Sequence, residues 1–392
     1  AEAAEALGVE RGVLDGLNLA RGRFRRGVDE LEYCDPDVLD RIRRQSLARA
    51  RRATEPVPQR AYANFLAHWH RLGALRGVDG VYEALEQLEG AAFTPREWEE
   101  RVLPARVADY AAPMLDELTA SGEIRIVGEG ASVMLLPRDY APESPELTAQ
   151  QREVVAAFDG GAYLFQELLG RVSLTGTQLR GTLWSLVDAG VVSPDSFARL
   201  RARATGEVRR HVPADTLGRW SLTREGDLPW PDLWLRRNGV VLRGTVDNFA
   251  LAYKVLSRYE EAGKVMRGMF VEGLGAAQFA APAVIDALRH APSAPTAVLA
   301  ATDPANPYGS VLPWPRGLAR ASGAVAVLRD GLLLAYLRGK SLVLLGDPAE
   351  VVAALAGSGP VDKIDGRPAL THPLLAELRA AGARITPRGV RL

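Results

Sequence analysis

Three stretches share one punctuation. In ELTASG-EIRIV (residues 117–127), LVDAG-VVS (186–193) and YEEAG-KVMRGMF (259–270), an apolar-periodic helix ends in glycine and a strand-like run follows at once. Glycine just past a helix supplies the left-handed C-cap that L side chains resist. Each helix must therefore stop there, and the strand after it must fold back on the same small body. The copies recur at domain-sized intervals, longer than solenoid repeats. A shorter echo lies near the start, where Arg21-Gly22-Arg23-Phe24 anticipates Arg267-Gly268-Met269-Phe270.

What precedes each glycine extends the pattern. VYEALEQLEG, FTPREWEERV (opened by Thr94-Pro95) and YAAPMLDELTASG read as three helices, and EIRIVGEGASVMLLP as two strands around Gly128-Glu129-Gly130. Three helices closed by a β-ribbon is the winged-helix plan. It returns over residues 147–197, with VVSPDSF as a thin wing, and again after DLPWPDLW, where Phe249–Gly263 is the third helix and KVMRGMFVEG the wing strand. There Phe270 is expected to pack inward and Arg267 to face out. Further on, TAVLAATDPANPYGSVLPWP, ASGAVAVLRDG, LLLAYLRGK and SLVLLG are β-rich and broken by turns such as Arg329-Asp330-Gly331, which suggests a small barrel or curled sheet.

The expected fold class is thus α+β, tandem winged-helix modules followed by a small β-barrel module. The boundaries are 1–31 for the end of a winged-helix module, 32–78 for a helical connector opened by Asp35-Pro36, and 79–140 for a winged helix. A winged-helix-like module follows at 146–215, a winged helix at 229–275, and the barrel module with a C-terminal helix and strand at 276–392. The opening AEAAEALGVE, without a methionine, reads as part of a longer protein.

Composition excludes more than it selects. Formal net charge is zero, so a nucleic-acid partner must be argued from local clusters. One cysteine, Cys34, leaves no disulfide framework or cysteine zinc cluster, and no apolar run approaches the roughly 18 residues of a spanning helix; a cytoplasmic protein without a membrane partner is expected. No phosphate loop is present, because Gly339-Lys340-Ser341 lacks the upstream glycine, Leu334 standing there instead; no cofactor is expected in this stretch. His68-Trp69-His70 points its imidazoles apart on a helix, and no metal site is expected. Asp303 in ATDPANPYG and Asp362 and Asp365 in VDKIDG are the candidate catalytic carboxylates, against the alternative that each caps a turn.

Arginine clusters carry the remaining signal. RIRRQSLARARR (41–52) holds six arginines and no acid, and RLRARATGEVRRH (199–211) holds five against one. LRRNGVVLRG adds Arg236, Arg237 and Arg243. Arg41, Arg43, Arg44, Arg236, Arg237, Arg243 and Arg267 are the candidate DNA contacts, since such groups bind phosphates by counterion release. Solvated faces or ion-pair partners explain the same pattern.

As an ordered set, LEYCDPDVLDRIRRQSLARARRATEPV, YLFQELL, LWSLVDAGVVSPDSFARLRA, GRWSL, RRNGVVLRG, VMRGMFVEGLGAAQFA, LAATDPANPYGSVLPWP and TPRGVRL resemble the long bacterial Lhr (large helicase-related) proteins. The resemblance covers nearly the whole chain and corresponds to the C-terminal extension that follows a superfamily 2 helicase core. It implies an accessory domain of a 3′-to-5′ ATP-dependent DNA repair helicase whose motor, using ATP and Mg, lies elsewhere in the same polypeptide. It also implies winged-helix modules with a barrel, homo-oligomers, and DNA as a partner. The last modules resemble AlkZ-type DNA glycosylases, which makes a base-excision module the alternative. The paired glutamines of that type are not carried over to any residue here, Gln278 being an isolated glutamine and not a Q-x-Q pair. SPDSFARL departs from the more usual TNDTFAPL, and RIRRQSL from RIHRxTL, which places arginine at position 43 where a histidine is usual.

Overall fold

Side-chain caps set where several helices begin. Thr94, Thr148 and Thr175 each accept a hydrogen bond from the backbone N–H three residues on, while Glu97, Gln151 and Gln178 reach back to the threonine N–H. These reciprocal bonds satisfy donors that a helix start otherwise leaves open. At the other end, Gly122, Gly190 and Gly263 take φ of +79°, +71° and +72°. The backbone closes there with Val191 N to Leu186 O and Lys264 N to Tyr259 O, each 2.9 Å.

The computed structural model describes residues 8, 13, 19–22, 32–39, 41, 55–142, 146–205 and 218–392. Two units are distinguished, Ala1–Pro56 and Val57–Leu392. In the first, β1 (Ala20–Gly22) pairs antiparallel with β2 (Glu32–Cys34). Asp35 Oδ1 then accepts from Asp37 N and Val38 N, starting a helical turn.

The second unit begins with α1 (Gln59–Trp69), which lies inside the stretch read as a connector. It has a packing role of its own: Tyr62, Phe65 and Leu66 join one core with Val240, Phe270, Val284 and Ile285, far along the chain. Val57 bridges to Val271 through Val57 N–Phe270 O and Glu272 N–Val57 O. Next come α2 (Gly77–Gln87), β3 (Ala92–Phe93), α3 (Pro95–Glu97) running into a π turn at Trp98–Val102, and α4 (Ala112–Ala120). The strands β4 (Arg125–Glu129) and β5 (Ser132–Leu136) complete a sheet in the order β3-β5-β4.

The second body holds α5 (Ala149–Ala156), β6 (Ala162–Tyr163), α6 (Phe165–Leu169), α7 (Gly176–Asp188), β7 (Val192–Pro194), α8 (Phe197–Thr205) and β8 (Trp220–Leu222). Its sheet order is β6-β8-β7, so GRWSL supplies the centre strand beside the thin wing. The third holds α9 (Trp230–Asn238), β9 (Val240–Val241), α10 (Phe249–Glu261), β10 (Met266–Gly268), β11 (Gln278–Ala280) and α11 (Pro282–His290). All pairs in its β10-β11-β9 sheet are antiparallel. Phe270 is buried and Arg267 is exposed, and buried Gln278 staples the loop between β10 and β11 by accepting from Phe270 N and Val271 N.

The C-terminal module is not a barrel. Its strands β12 (Ala297–Ala300), β13 (Ala324–Arg329), β14 (Leu332–Arg338), β15 (Ser341–Leu344), β16 (Lys363–Ile364) and β17 (Arg367–Pro368) form an open sheet in that order. A barrel needs its first and last strands to pair, and here β12 and β17 are both edges. Two features keep it open. The step from β15 to β16 is parallel and passes through α12 (Pro348–Ala354), which places a helix against one face. The last edge is two residues long and ends in Pro368, which has no N–H to donate. Helix α13 (Leu375–Ala380) and the separate β18–β19 hairpin (Arg384–Thr386, Gly389–Arg391) join α12 on that face. Ala326, Leu328 and Leu333 pack on the other face with Leu299 and Ala305. Burial on both sides explains why AVAVL and LLLAYL are continuous apolar runs. Among the described residues, no helix is long and apolar enough to cross a membrane.

The first two bodies share one core, from Leu85, Trp98 and Ile126 through Leu183, Leu186 and Trp220. At their seam Gly128 lies against the end of α7, where a Cβ would collide with the Val187 carbonyl oxygen, and Gly130 N donates to Asp188 O at 2.8 Å. Backbone meets backbone there, so nothing flexible can yield. Gly128→Ala is expected to destabilise the protein by about 1–3 kcal/mol, read as a lowered midpoint in thermal denaturation, with Gly130→Ala as a comparison.

Candidate functional site

A fully buried polar cluster joins three segments that the sequence keeps far apart. Arg106, just beyond the π turn, donates from Nη1 and Nη2 to Asp303 Oδ2 and Oδ1, both at 2.8 Å. Its Nη2 also lies 3.0 Å from His70 Nδ1 at the end of α1, and Nη1 reaches Val102 O. All three side chains are fully buried. Burial pushes the Asp303 carboxyl up, but the Arg106 charge and hydrogen bonds prevail and hold it below its usual value. Burial and the neighbouring guanidinium lower His70 to about 3, so it is neutral and accepts through Nδ1. Asp303 Oδ1 also accepts from Ala305 N, which starts the turn of the DPANPYG loop. Arg320 clamps that loop through the carbonyls of Thr302, Asp303, Asn306 and Tyr308.

Beside this cluster lies a cleft of about 440 Å³, walled by the β3–β5 ribbon, α9, the 244–247 turn and the 302–311 loop. Trp230 and Trp234 come from α9, Tyr140 from the segment after β5, and Asp247 and Thr302 from the loops. Arg237 lines the same cleft, and its burial lowers the guanidinium to about 10, opposed by Asp247 and Glu89. Both tryptophans belong to the Pro/Trp-rich DLPWPDLW that opens the third module.

Residues 57–138 and 223–299 each match a family model described as large helicase-related protein, winged-helix domain. Over 98% of its length the chain is 36% identical to a Mycolicibacterium smegmatis protein named Lhr helicase/probable uracil glycosylase. The chain belongs to the large helicase-related (Lhr) family. Over 91% of its length it is 31% identical to the Escherichia coli Lhr helicase/uracil glycosylase. It spans 31% and 30% of the lengths of these two relatives. The DNA glycosylase AlkZ of Streptomyces sahachiroi aligns in structure over 74% of this chain and 91% of its own, with a TM-score of 0.46 and 14% identity.

In this Lhr segment the three candidate carboxylates do not meet. Asp303 is sealed in the buried cluster. Asp362 is exposed before β16, and Asp365 (φ +49°) accepts from Leu344 N at 3.1 Å and Arg316 Nη1 at 2.9 Å, tying its turn to β15 and to the segment around Arg316. Among the arginines, Arg236 reaches Glu86 O and the buried Glu89 carboxylate at 3.3 Å, which Arg138 shares. Arg243 is exposed, with its guanidinium 5.8 Å from the Phe249 ring centre. Arg267 pairs with Glu260 at 3.2 Å and donates to Tyr253 Oη at 2.6 Å. Arg41 is exposed in the first unit, whereas Arg43 and Arg44, with most of the 41–52 cluster and residues 206–211, lie outside the described residues. The two histidines of HWH diverge, His68 Nε2 contacting Pro292 O at 2.8 Å. Arg106, Glu89 and Arg138 carry no local motif, because their partners are remote in sequence.

Arg106→Met is expected to cost about 3–5 kcal/mol by leaving Asp303 buried and unpaired, with much of that recovered in Arg106→Met/Asp303→Leu; chemical denaturation of both variants checks it. His70 adds a pH signature. Its folded value lies near 3 against an ordinary 6.5, so between those values the unfolded chain binds the extra proton and stability falls as pH falls. His70→Gln is expected to flatten the melting temperature against pH across that window.

Proposed function

We propose that this chain is the accessory C-terminal part of an Lhr-type ATP-dependent DNA repair helicase, serving DNA binding and self-assembly while a motor elsewhere in the polypeptide does the translocation. The observation that carries this is the match over 98% of the chain to a protein named as an Lhr helicase, with winged-helix models falling on two of its bodies. The third body offers the best DNA-facing surface. Arg243 on the turn before α10, Lys254 on α10 and Arg267 on β10 are exposed together with Leu251, Tyr253, Met266 and Met269. Cations grip phosphates irrespective of sequence, and flat or apolar side chains meet sugar and base edges. The proposed modules are those of the sequence reading, with the C-terminal one an open sheet.

A second reading, base excision, is favoured by the names of both relatives, which include uracil glycosylase. Under it Asp362 or Asp365 is the carboxylate nearest to solvent among the three candidates.

One set of assays separates the two. In the accessory reading the purified chain retains duplex DNA at low salt, and Arg243→Gln and Arg267→Gln each weaken binding across all sequences and reduce the salt slope by about one. Light scattering should then show a species larger than a monomer. Absence of DNA retention together with a strict monomer would overturn this reading. Alkali-labile breaks in a uracil-containing duplex that vanish in Asp362→Asn or Asp365→Asn would establish base excision.

A further inference from the structure

The cleft of about 440 Å³ holds polar groups that the chain itself leaves unused. Among the described residues, the one hydrogen bond of the Arg237 side chain is a long 3.4 Å donation from Nη1 to Gly90 O. Its Nε is buried without a partner, and so is Oγ1 of Thr302 on another wall of the cleft. A guanidinium carries five donors, and buried polar groups in folded proteins are nearly always paired. A largely enclosed arginine with a single weak bond therefore points to an acceptor brought from outside.

The surroundings specify that acceptor. Trp230, Trp234 and Tyr140 supply flat apolar surface, and the volume falls within the roughly 300–1,000 Å³ of small-molecule sites. Charge argues against a polyphosphate: Arg237 and Arg320 are balanced in the lining by Asp247 and Glu129, and Arg320 already serves four loop carbonyls. The fit is a neutral planar ring whose edge carries carbonyl oxygens. Enzymes that read single bases out of a duplex hold them in this way, between aromatic faces with hydrogen bonds to the edge.

We propose that this cleft binds one extrahelical nucleobase bearing carbonyl acceptors, with Arg237 and Thr302 reading its edge and the tryptophans of α9 covering its face. The inference rests on the DNA-binding reading above. The full chain is titrated with two fluorescent duplexes that differ only in one bulged deoxyuridine, and its tryptophan emission is followed with free deoxyuridine and free deoxyadenosine. The bulged duplex should bind about tenfold more tightly than the paired one, the size of one base–aromatic stack. Thr302→Val and Trp234→Leu, checked for wild-type melting, should lose that preference and keep the binding of paired DNA. Deoxyuridine should quench emission at lower concentration than deoxyadenosine, whose base has no carbonyl. Equal affinity for both duplexes, or a preference that survives in both folded variants, overturns the inference and leaves the DNA-binding reading standing. Failure to bind either duplex overturns both.

Discussion

One wall of the cleft, the 302–311 loop, is positioned by a desolvated ion pair. Arg106 and Asp303 are 197 residues apart and fully buried, and they meet through two parallel 2.8 Å bonds. Such a pair is not a large source of net stability, because removing both charges from water costs about as much as their attraction returns. Its physical consequence is positional. Each charge is tolerable only in contact with the other, so the DPANPYG loop can sit in one place against the first winged helix. His70, neutral and accepting through Nδ1, brings the end of α1 to the same point. The cleft is the space left where these fixed segments fail to close.

The same constraint explains which parts of the fold were legible in the sequence. Helix ends were, because their signals are local: Asp35 before Pro36, Thr94 before Pro95, and glycine past α4, α7 and α10. The wing strands were legible because a strand directly after such a glycine has only its own module to pair with. The Arg329-Asp330-Gly331 turn sits at the β13–β14 hairpin for the same local reason. What distant segments decide was not. No local pattern shows that α1 packs beside β9 and α11, that Glu89 is bracketed by Arg138 and Arg236, or that Arg106 ends against Asp303.

The barrel expectation failed on a different point. Strand count and turn spacing are properties of hairpins, and β12 to β15 do follow one another as antiparallel hairpin or meander steps. Closure depends instead on how the last strand returns. Here α12 carries the chain across a face, β16 enters parallel, and Pro368 sits at the end of the outer edge. The apolar runs AVAVL and LLLAYL already carried the warning, since a strand with one wet face alternates whereas these do not. They mark a sheet sandwiched between helices and the DPANPYG loop.

Candidate residues divide along the same line. A cluster of like charges in sequence says only that the residues share a neighbourhood; the fold decides which of them face water. Arg236 and Arg237 are adjacent on the last turn of α9, yet one bridges to Glu89 while the other turns into the cleft with most of its donors idle. Arg243 and Arg267, which have weaker local context, emerge on the outer surface of the third body. The inward arginine is the more informative of the two kinds. An exposed guanidinium is accounted for by water alone, whereas Arg237 is partly withdrawn from water with its Nε unpaired and one long bond to Gly90 O, and it lies inside the aromatic cleft beside the Arg106–Asp303 pair.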